Sequence, residues 1–179
     1  MSQVIDKLVW IDLEATGLHL KKDKIIEVAV LVTDTKLNLL DEKGYVGFVK
    51  ITDEDVSLMD DTVRKMHTEN GIIEMCKKSS LTLEDIDKGA VDYISQIVER
   101  KEAPLCGNSI AFDRAFIGYS MPLLSDYLHY RNIDVSTVKQ LSQIWRNDIY
   151  KKAGSTHEAL DDIKQSIEEL RYYKSKIFD

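Results

Sequence analysis

The sequence predicts a single α/β domain in which helices flank a mixed β-sheet. Three closely spaced strand patterns come first, and helical patterns alternate with short apolar runs after residue 52. Strands followed by alternating helices and strands are the order expected for a mixed sheet covered by helices. The length of 179 residues fits one domain with one core, and no repeat, linker or low-complexity stretch divides the chain. We therefore expect a single domain over residues 1–179.

The strands are predicted from dense β-branched and aromatic residues bounded by turn signals. The first run closes at Thr16-Gly17, and a polar connection ending at Gly44 separates the second run from the third, which favours an antiparallel meander. Two later apolar runs are short enough to be buried strands. The predicted strands cover residues 8–13, 25–33, 45–50, 104–106 and 133–135.

Helices are predicted where apolar residues recur every three to four positions. Ser155 and Glu158 have the spacing of a capping box at the start of the last helix. The predicted helices cover residues 53–59, 62–70, 82–100, 110–120, 123–129, 138–146 and 156–175.

Composition and charge narrow the possible partners. With 24 basic and 31 acidic side chains, the formal net charge is −7, which disfavours binding of long nucleic acid through a basic surface. A nucleic-acid substrate should therefore be short or held by metal ions.

Cys76 and Cys106 are too few for a disulfide scaffold, and the N-terminus has no secretory or transit pattern. Residues 25–32, the most apolar segment, are far shorter than the ~20 residues of a membrane span. We expect a cytoplasmic protein without a membrane partner.

Asp12 and Glu14 are the first candidate metal ligands. They lie two residues apart, so the alternation of a strand places both carboxylates on the face that carries Trp10. Adjacent carboxylates repel each other unless a cation lies between them, and Mg²⁺ takes oxygen ligands of this kind. Gly17 follows where a tight turn permits close approach of a ligand. Taken alone, the pair is more typical of a solvated strand end.

Asp113 and Ser109 follow the predicted strand at residues 104–106. The segment from Cys106 to Ser109 leads into a helix, in which Ser109 is the expected N-cap and Asp113 lies in the early turns. An acid in that position can also serve only to complement the helix dipole. Asp113 is therefore a candidate ligand chiefly in combination with other acids.

The last predicted helix contributes Asp162 and, at its entrance, His157. At about 100° per residue, Leu160 and Ile163 lie in the buried stripe, Asp162 lies at its edge, and Asp161 lies nearly opposite. Asp162 is thus the better candidate to point into a site. His157 has the chemistry of a general base, although an isolated histidine is by default a surface residue.

The four acids Asp12, Glu14, Asp113 and Asp162 come from distant parts of the chain, so only the fold can bring them together. Such a set can hold two divalent ions about 3.5–4 Å apart, one activating a water and one stabilising the leaving oxygen of a phosphodiester. His157 can take the proton of that water. The combination predicts a metal-dependent phosphodiester hydrolase.

Four segments resemble those of the oligoribonucleases, a family of DEDD exonucleases with a histidine general base. The resemblance covers residues 5–178, almost the whole chain. The Asp-x-Glu-x-Thr-Gly pattern alone indicates the superfamily, whereas the third segment resembles oligoribonucleases in particular. The segments are Asp12-Leu-Glu14-Ala-Thr16-Gly17-Leu18, Cys106-Gly-Asn-Ser-Ile-Ala-Phe-Asp113-Arg114, His129-Tyr130-Arg131 with Asp134-Val-Ser136-Thr137, and His157-Glu-Ala-Leu-Asp-Asp162-Ile.

The resemblance implies an RNase H-like fold and 3′-to-5′ hydrolysis of very short RNAs to 5′-mononucleotides. It implies two Mg²⁺ or Mn²⁺ ions held by the four acids, with His157 as general base. It also implies a homodimer in which Tyr130 stacks on a base bound by the partner subunit. The remaining implied contacts are Leu18 as a wedge against the bases, and Ser109 around the 5′ phosphate together with Arg131, Ser136 and Lys139 from the partner.

One position departs from the family pattern. The segment from Leu58 to Asp61 is usually followed by a tryptophan that lines the base pocket, and here Thr62 follows it. Stacking of a base on an aromatic ring contributes roughly 1–3 kcal/mol, so affinity falls unless another side chain substitutes.

Two alternatives stay open at this point. A proofreading-type exonuclease acting on DNA ends would be expected to carry a more basic surface or a polymerase-binding tail. A non-catalytic nucleotide-binding module would be expected to lack one of the five candidate catalytic residues, and all five positions are occupied.

Overall fold

A computed structural model describes residues 5–151 and 158–177. Its five strands form one mixed sheet in the order β3-β2-β1-β4-β5. The strands β1, β2 and β3 pair antiparallel, whereas β4 runs parallel to β1 and β5 runs parallel to β4. The strands are β1 (Lys7–Ala15), β2 (Ile25–Asp34), β3 (Tyr45–Phe48), β4 (Leu105–Gly107) and β5 (Asn132–Asp134).

Helices cover both faces of this sheet, which confirms the predicted α/β fold class. They are α1 (Asp53–Leu58), α2 (Asp61–Glu69), α3 (Ile72–Lys78), α4 (Leu83–Ile94), α5 (Ala111–Ser120), α6 (Pro122–Tyr127), α7 (Val135–Arg146) and α8 (Ala159–Ile177). None of the helices within the described ranges has the length and apolar character needed to cross a membrane.

Strand β1 separates two hydrophobic clusters by simple alternation. Val9 and Ile11 pack with residues of α4, α5 and α6, whereas Leu8 and Trp10 pack with residues of α8 such as Ile163. Asp12 and Glu14 continue the Trp10 side of the strand, because side chains two residues apart share a face. The acids at the carboxyl end of β1 therefore lie on the face covered by α8.

The helix α3 is absent from the sequence-based prediction. It has only seven residues, and Ile72 and Cys76 are buried against Ile26 and Ile51. Packing against the sheet stabilises so short a helix, since isolated helices of this length are marginal in water. The predicted helix at residues 82–100 was too long, because beyond Ile94 the chain forms turns in which the Gln96 and Ile97 N–H groups donate to carbonyls three residues back.

Two helix starts also differ from expectation. α7 begins three residues earlier than predicted, where the Asp134 carboxylate accepts the Ser136 backbone N–H. Ser109 is not a helix cap, because α5 has Ile110 at its N-cap and no side-chain capping bond. Ser109 instead adopts φ 59°, in the left-handed region. The proposed capping-box residue Ser155 lies outside the described residues.

Candidate active site

Three carboxylates meet where β1 passes the first turn of α8. Asp12 and Glu14 project from β1, and Asp162 projects from α8. Each offers one carboxylate oxygen, and the three oxygens lie within 4.8 Å of one another. This juxtaposition joins residues from opposite ends of the sequence and is the arrangement that a cation with oxygen ligands requires.

Asp113 lies beside this group. It sits in the first turn of α5 and is almost fully buried, and its Oδ1 accepts the Leu13 backbone N–H at 3.0 Å. Leu13 stands between the two acids of β1, so this bond ties α5 to the strand at the level of the carboxylates. The negative charge of Asp113 acts on both Asp12 and Glu14.

The electrostatics reflect this crowding. Burial, followed by the charges of Asp113, Glu14 and Asp162, holds the pKa of Asp12 well above its usual range. Burial and the charges of Asp162 and Asp113 raise the pKa of Glu14 to about 7. Burial raises the pKa of Asp113 to about 7 although backbone N–H groups oppose the shift. Carboxylates with these environments resist ionisation unless positive charge is supplied, and a divalent cation supplies it.

Asp161 and Asp162 occupy different environments, as the helical wheel predicts. The Asp161 side chain is 45% exposed and lies 3.8 Å from Lys164 Nζ in an i,i+3 ion pair. Asp162 faces the β1 acids. His157, the predicted general base, lies outside the described residues.

Two titratable residues of this neighbourhood escaped the sequence-based prediction. Glu27 on β2 is the direct strand partner of Glu14, is 3% exposed, and has a pKa raised to about 8, mainly by burial. His67 on α2 is fully buried, with Nε2 3.0 Å from the Ala15 carbonyl oxygen and 3.9 Å from Glu14 Oε2. An acid inside the apolar run of β2 was an available signal for Glu27, whereas nothing in the sequence pattern distinguishes His67.

A second polar group lies beyond the carboxyl ends of β4 and β5. Asp134 Oδ1 accepts the Ser109 backbone N–H at 2.9 Å, and Ser136 Oγ donates to the same carboxylate at 2.8 Å. Lys139 Nζ lies 3.9 Å from Glu169 Oε1. Ser109 and Ser136 therefore meet within one chain. A contribution of Ser136 from a partner subunit to the Ser109 group stays a prediction.

Tyr130 and Arg131 lie at the other end of β5. The Leu105 backbone N–H donates to the Arg131 carbonyl at 3.3 Å, which places Arg131 beside the amino end of β4. Tyr130 is 73% exposed, and its ring is stacked on the ring of His129. The guanidinium carbon of Arg131 lies 5.6 Å from the centroid of the Tyr130 ring. Since the carboxylates lie beyond the carboxyl end of the parallel strands, these two side chains do not join the acidic group of their own chain.

Leu18 stands next to the acids and is 80% exposed. It lines a cavity of about 140 Å³ that also has Glu14, Met66 and Phe112 in its wall. Thr62, which replaces the expected tryptophan, is exposed near the start of α2 and does not line this cavity. Phe112 therefore offers an aromatic ring near the acids that the sequence pattern did not single out.

Comparisons with known proteins agree with this geometry. A family model described as "RNase_T: Exonuclease" matches residues 9–170. Among curated proteins, the chain is 46% identical over 170 residues to an oligoribonuclease of Actinobacillus pleuropneumoniae, covering 94% of this chain and 92% of that protein. It is 48% identical over 177 residues to an oligoribonuclease of Rhodococcus jostii, covering 97% of this chain and 88% of that protein.

Solved structures of exonuclease I have the same fold. The chain superposes on exonuclease I of Methylocaldum szegediense with a TM-score of 0.73 at 17% identity, covering 97% of this chain and 41% of that chain. It superposes on E. coli exonuclease I in complex with a 5cy-dT13 oligonucleotide with a TM-score of 0.73 at 14% identity, covering 97% of this chain and 42% of that chain. The chain thus spans about two fifths of those longer proteins. By the family match and the curated relatives, the chain belongs to the oligoribonuclease family of exonucleases.

Proposed function

We propose that the protein is a metal-dependent 3′-to-5′ exoribonuclease that hydrolyses RNAs of two to a few residues to 5′-mononucleotides. The observation that supports it most directly is the meeting of carboxylate oxygens from Asp12, Glu14 and Asp162 within 4.8 Å. The names of the curated relatives point to the same substrate class.

The four acids fit divalent cations. They are hard oxygen donors, and the raised pKa values of Asp12, Glu14 and Asp113 mark a site where negative charge lacks compensation. Asp12, Glu14, Asp113 and Asp162 would hold two Mg²⁺ or Mn²⁺ ions. Bound there, such ions supply Lewis acidity toward water and neutralise charge on the scissile phosphate.

The protein's own groups supply positioning and proton transfer. His157 precedes α8 by two residues and is proposed as the base that accepts a proton from the attacking water. Leu18 and Phe112 line the apolar cavity beside Glu14 and would contact the terminal base, so Phe112 would compensate for the tryptophan replaced by Thr62.

The opposite end of the substrate would meet the group around Asp134. Ser109, Ser136 and Lys139 of one chain would bind the 5′ phosphate through hydroxyl and ammonium donors. Tyr130 and Arg131 lie at the end of β5 opposite the acids of their own chain, so their proposed contacts with substrate require a homodimer, with the partner subunit providing them. The resemblance assigns Ser136 and Lys139 to the partner subunit as well.

Location in a reducing cytoplasm also forms part of the proposal. Cys76 and Cys106 are both free and buried, and burial raises the pKa of each thiol.

Substrate class and metal dependence can be tested together. A 5′-labelled trinucleotide of RNA and the matching DNA are incubated with Mg²⁺, with EDTA, and with EDTA followed by excess Mg²⁺. The proposal expects RNA to be shortened from its 3′ end, EDTA to stop the reaction, and Mg²⁺ to restore it. DNA cleaved faster than RNA would favour the proofreading-type alternative, and no cleavage of either would favour a non-catalytic module.

A further inference from the structure

Glu169 on α8 is a fully buried acid outside the proposed metal ligands and the proposed 5′-phosphate pocket. Polar side chains surround its carboxyl. Asn108 Nδ2 donates to its Oε2 at 2.9 Å, the Tyr173 hydroxyl donates to its Oε1 at 3.5 Å, and Lys139 Nζ lies 3.9 Å from the same Oε1. A buried ion pair is weak evidence for stability, since apolar side chains often pack as well in its place. Another role for Glu169 is therefore worth testing.

Asp134 shows what such a role can be. Its carboxylate accepts the Ser109 backbone N–H at 2.9 Å and the Ser136 hydroxyl at 2.8 Å. Ser109 lies in the connection between β4 and α5, and Ser136 lies in the first turn of α7. One acid thus joins two segments that both contribute to the proposed 5′-phosphate pocket.

Glu169 joins the same two segments at neighbouring positions. Asn108 directly precedes Ser109, and its side chain is held by Glu169. Lys139 follows Ser136 by three residues, so the two side chains are neighbours on the surface of α7. Asp134 from β5 and Glu169 from α8 therefore form two ties between the β4–α5 connection and α7.

We propose that Glu169 is a positioning residue for the 5′-phosphate pocket, which holds the Lys139 ammonium in place for binding. A lysine carries its charge on a flexible stem, and restricting it before the ligand arrives lowers the entropic cost of binding. The Lys139 side chain is 39% exposed, so its ammonium can reach a ligand while Glu169 restrains it from the buried side. This inference rests on the proposed function only in taking Lys139 as a phosphate-binding residue, and it applies whether Lys139 serves its own chain or the partner subunit.

The charge of Glu169 by itself predicts the opposite effect. A negative charge beside Lys139 weakens the attraction of that ammonium for a phosphate. If Glu169 had no positioning role, its replacement by glutamine would strengthen phosphate binding. The sign of the change therefore separates positioning from charge.

Asp87 is the matched control for a general loss of stability. It is likewise buried, 2% exposed, and accepts the backbone N–H groups of Leu123 and Leu124 at 2.9 and 2.8 Å, at the start of α6. Neither α4, which carries Asp87, nor α6 contributes a residue to the proposed pocket. Asp87→Asn makes the same change from carboxyl to amide as Glu169→Gln.

The test measures the Kd of an RNA dinucleotide with and without a 5′ phosphate, by calorimetric titration of the full chain. Ca²⁺ replaces Mg²⁺, because its looser coordination geometry disfavours cleavage. The ratio of the two Kd values is the phosphate preference, which should be at least about tenfold for wild-type protein. Glu169→Gln keeps an acceptor for Asn108 but loses the charge beside Lys139, and its preference should fall at least about threefold.

A double variant tests whether Glu169 acts through Lys139. Lys139→Met, which lacks the ammonium, should lower the preference. Adding Glu169→Gln to Lys139→Met should change it by less than about twofold, since residues that act through each other are not additive. Glu169→Asp, which shortens the reach of the acid, should lower the preference as well and keeps the test decisive if Glu169→Gln does not fold. Asp87→Asn should keep the wild-type preference, even where its melting temperature is lower.

An unchanged or stronger preference in Glu169→Gln would overturn the proposal, because Glu169 would then act only through its charge or not at all. A further loss in the double variant, or an equal loss in Asp87→Asn, would also overturn it. If the expected pattern appears in a protein that cleaves no RNA in Mg²⁺, only the proposed function fails. Wild-type protein that cleaves dinucleotides without a phosphate preference would overturn only the role of Glu169 and the pocket. Wild-type protein that binds neither dinucleotide would contradict both.

Discussion

Asp161 and Asp162 are adjacent in the chain, but their surroundings predict very different contributions to RNA hydrolysis. Asp162 supplies an oxygen to the group formed with Asp12 and Glu14, whereas Asp161 forms an exposed ion pair with Lys164. Asp162→Ala should reduce RNA hydrolysis by at least ~10³-fold, since a water that fills the vacated coordination position does not supply the negative charge of the carboxylate. Asp161→Ala should remain within about threefold, because exposed ion pairs contribute about 0–1 kcal/mol. Initial rates on an RNA dinucleotide check both, and the reverse ranking would refute the assignment.

His157 is assigned by its chemistry and its position two residues before α8. His157→Ala should lower kcat by about 10²–10⁴-fold, the contribution typical of a general base. Mn²⁺ affinity, measured on the same preparation, should be unchanged. A parallel fall in Mn²⁺ affinity and kcat would instead make His157 a metal ligand.

For individual residues, the sequence predicts the placement of those side chains whose position follows from local periodicity. Strand alternation pairs Asp12 with Glu14, and the helical wheel separates Asp162 from Asp161, as the structure confirms. Glu27 and His67 reach the site through a strand pairing and through burial of α2, and neither contact follows from spacing along the chain.

Among the elements, the corner between β5 and α7 has the clearest functional consequence. Asp134 caps α7, accepts the Ser109 N–H, and receives hydrogen bonds from the hydroxyls of Ser136 and Thr137. Asp134 therefore orients Ser109 and Ser136, two hydroxyl-bearing residues of the proposed 5′-phosphate pocket. It also stabilises Ser109 in its left-handed conformation, which costs a non-glycine residue free energy.

Asp134→Ala should therefore affect both stability and selectivity. Loss of the cap should lower the free energy of unfolding by about 1–2 kcal/mol. The ratio of kcat/KM for 5′-phosphorylated over 5′-hydroxyl dinucleotides should also fall several-fold, because Ser109 and Ser136 lose their common acceptor. Asp134→Asn, which keeps an acceptor oxygen, serves as the control. If Asp134→Ala lost stability but kept the wild-type ratio of kcat/KM, the 5′-phosphate pocket would not lie at the corner between β5 and α7.

The predicted elements were accurate where an apolar run is continuous and wrong where tertiary contacts decide the boundary. β1 and β2 match closely, since their apolar runs are continuous. α3 depends on packing against β2, and the early start of α7 depends on the Asp134 cap. The prediction of Ser109 as an N-cap was wrong, and its backbone N–H instead donates to the Asp134 carboxylate.

For the molecule as a whole, the buried acids predict how stability depends on pH. Glu14 and Asp113 have pKa values of about 7 in the folded state, above their ordinary values, so the folded metal-free protein binds protons more tightly than the unfolded chain. Stability from these groups is therefore present at low pH and is lost as the pH rises toward about 7.

The metal-free protein should consequently melt at a lower temperature at pH 8 than at pH 5. A change of 1 kcal/mol corresponds to about 2–4 °C for a chain of this size, so the effect is measurable by thermal unfolding. Excess Mg²⁺ at pH 8 should raise the melting temperature, and Asp113→Asn, which retains an acceptor for the Leu13 N–H, should reduce the pH dependence. A metal-free protein that is more stable at pH 8 than at pH 5 would contradict the proposed crowding of the acids.

The overall charge also bears on substrate length. A net charge of −7 offers little attraction to a long phosphate backbone, so affinity must come from contacts at the two ends of a short substrate. A third nucleotide would have to give up the 5′-phosphate contacts, and charge-assisted hydrogen bonds contribute about 1.5–3 kcal/mol each. This reasoning predicts at least tenfold discrimination between dinucleotides and long RNAs.

The most direct measurement is therefore kcat/KM for 5′-phosphorylated RNAs from two to twenty nucleotides, in Mg²⁺, with wild-type protein and Arg131→Ala. Wild-type protein should cleave the dinucleotide at least about tenfold more efficiently than the longest RNA. Arg131→Ala should reduce turnover of the dinucleotide and narrow its advantage. A twenty-nucleotide RNA degraded as efficiently as the dinucleotide would contradict the assignment of this protein to short RNAs.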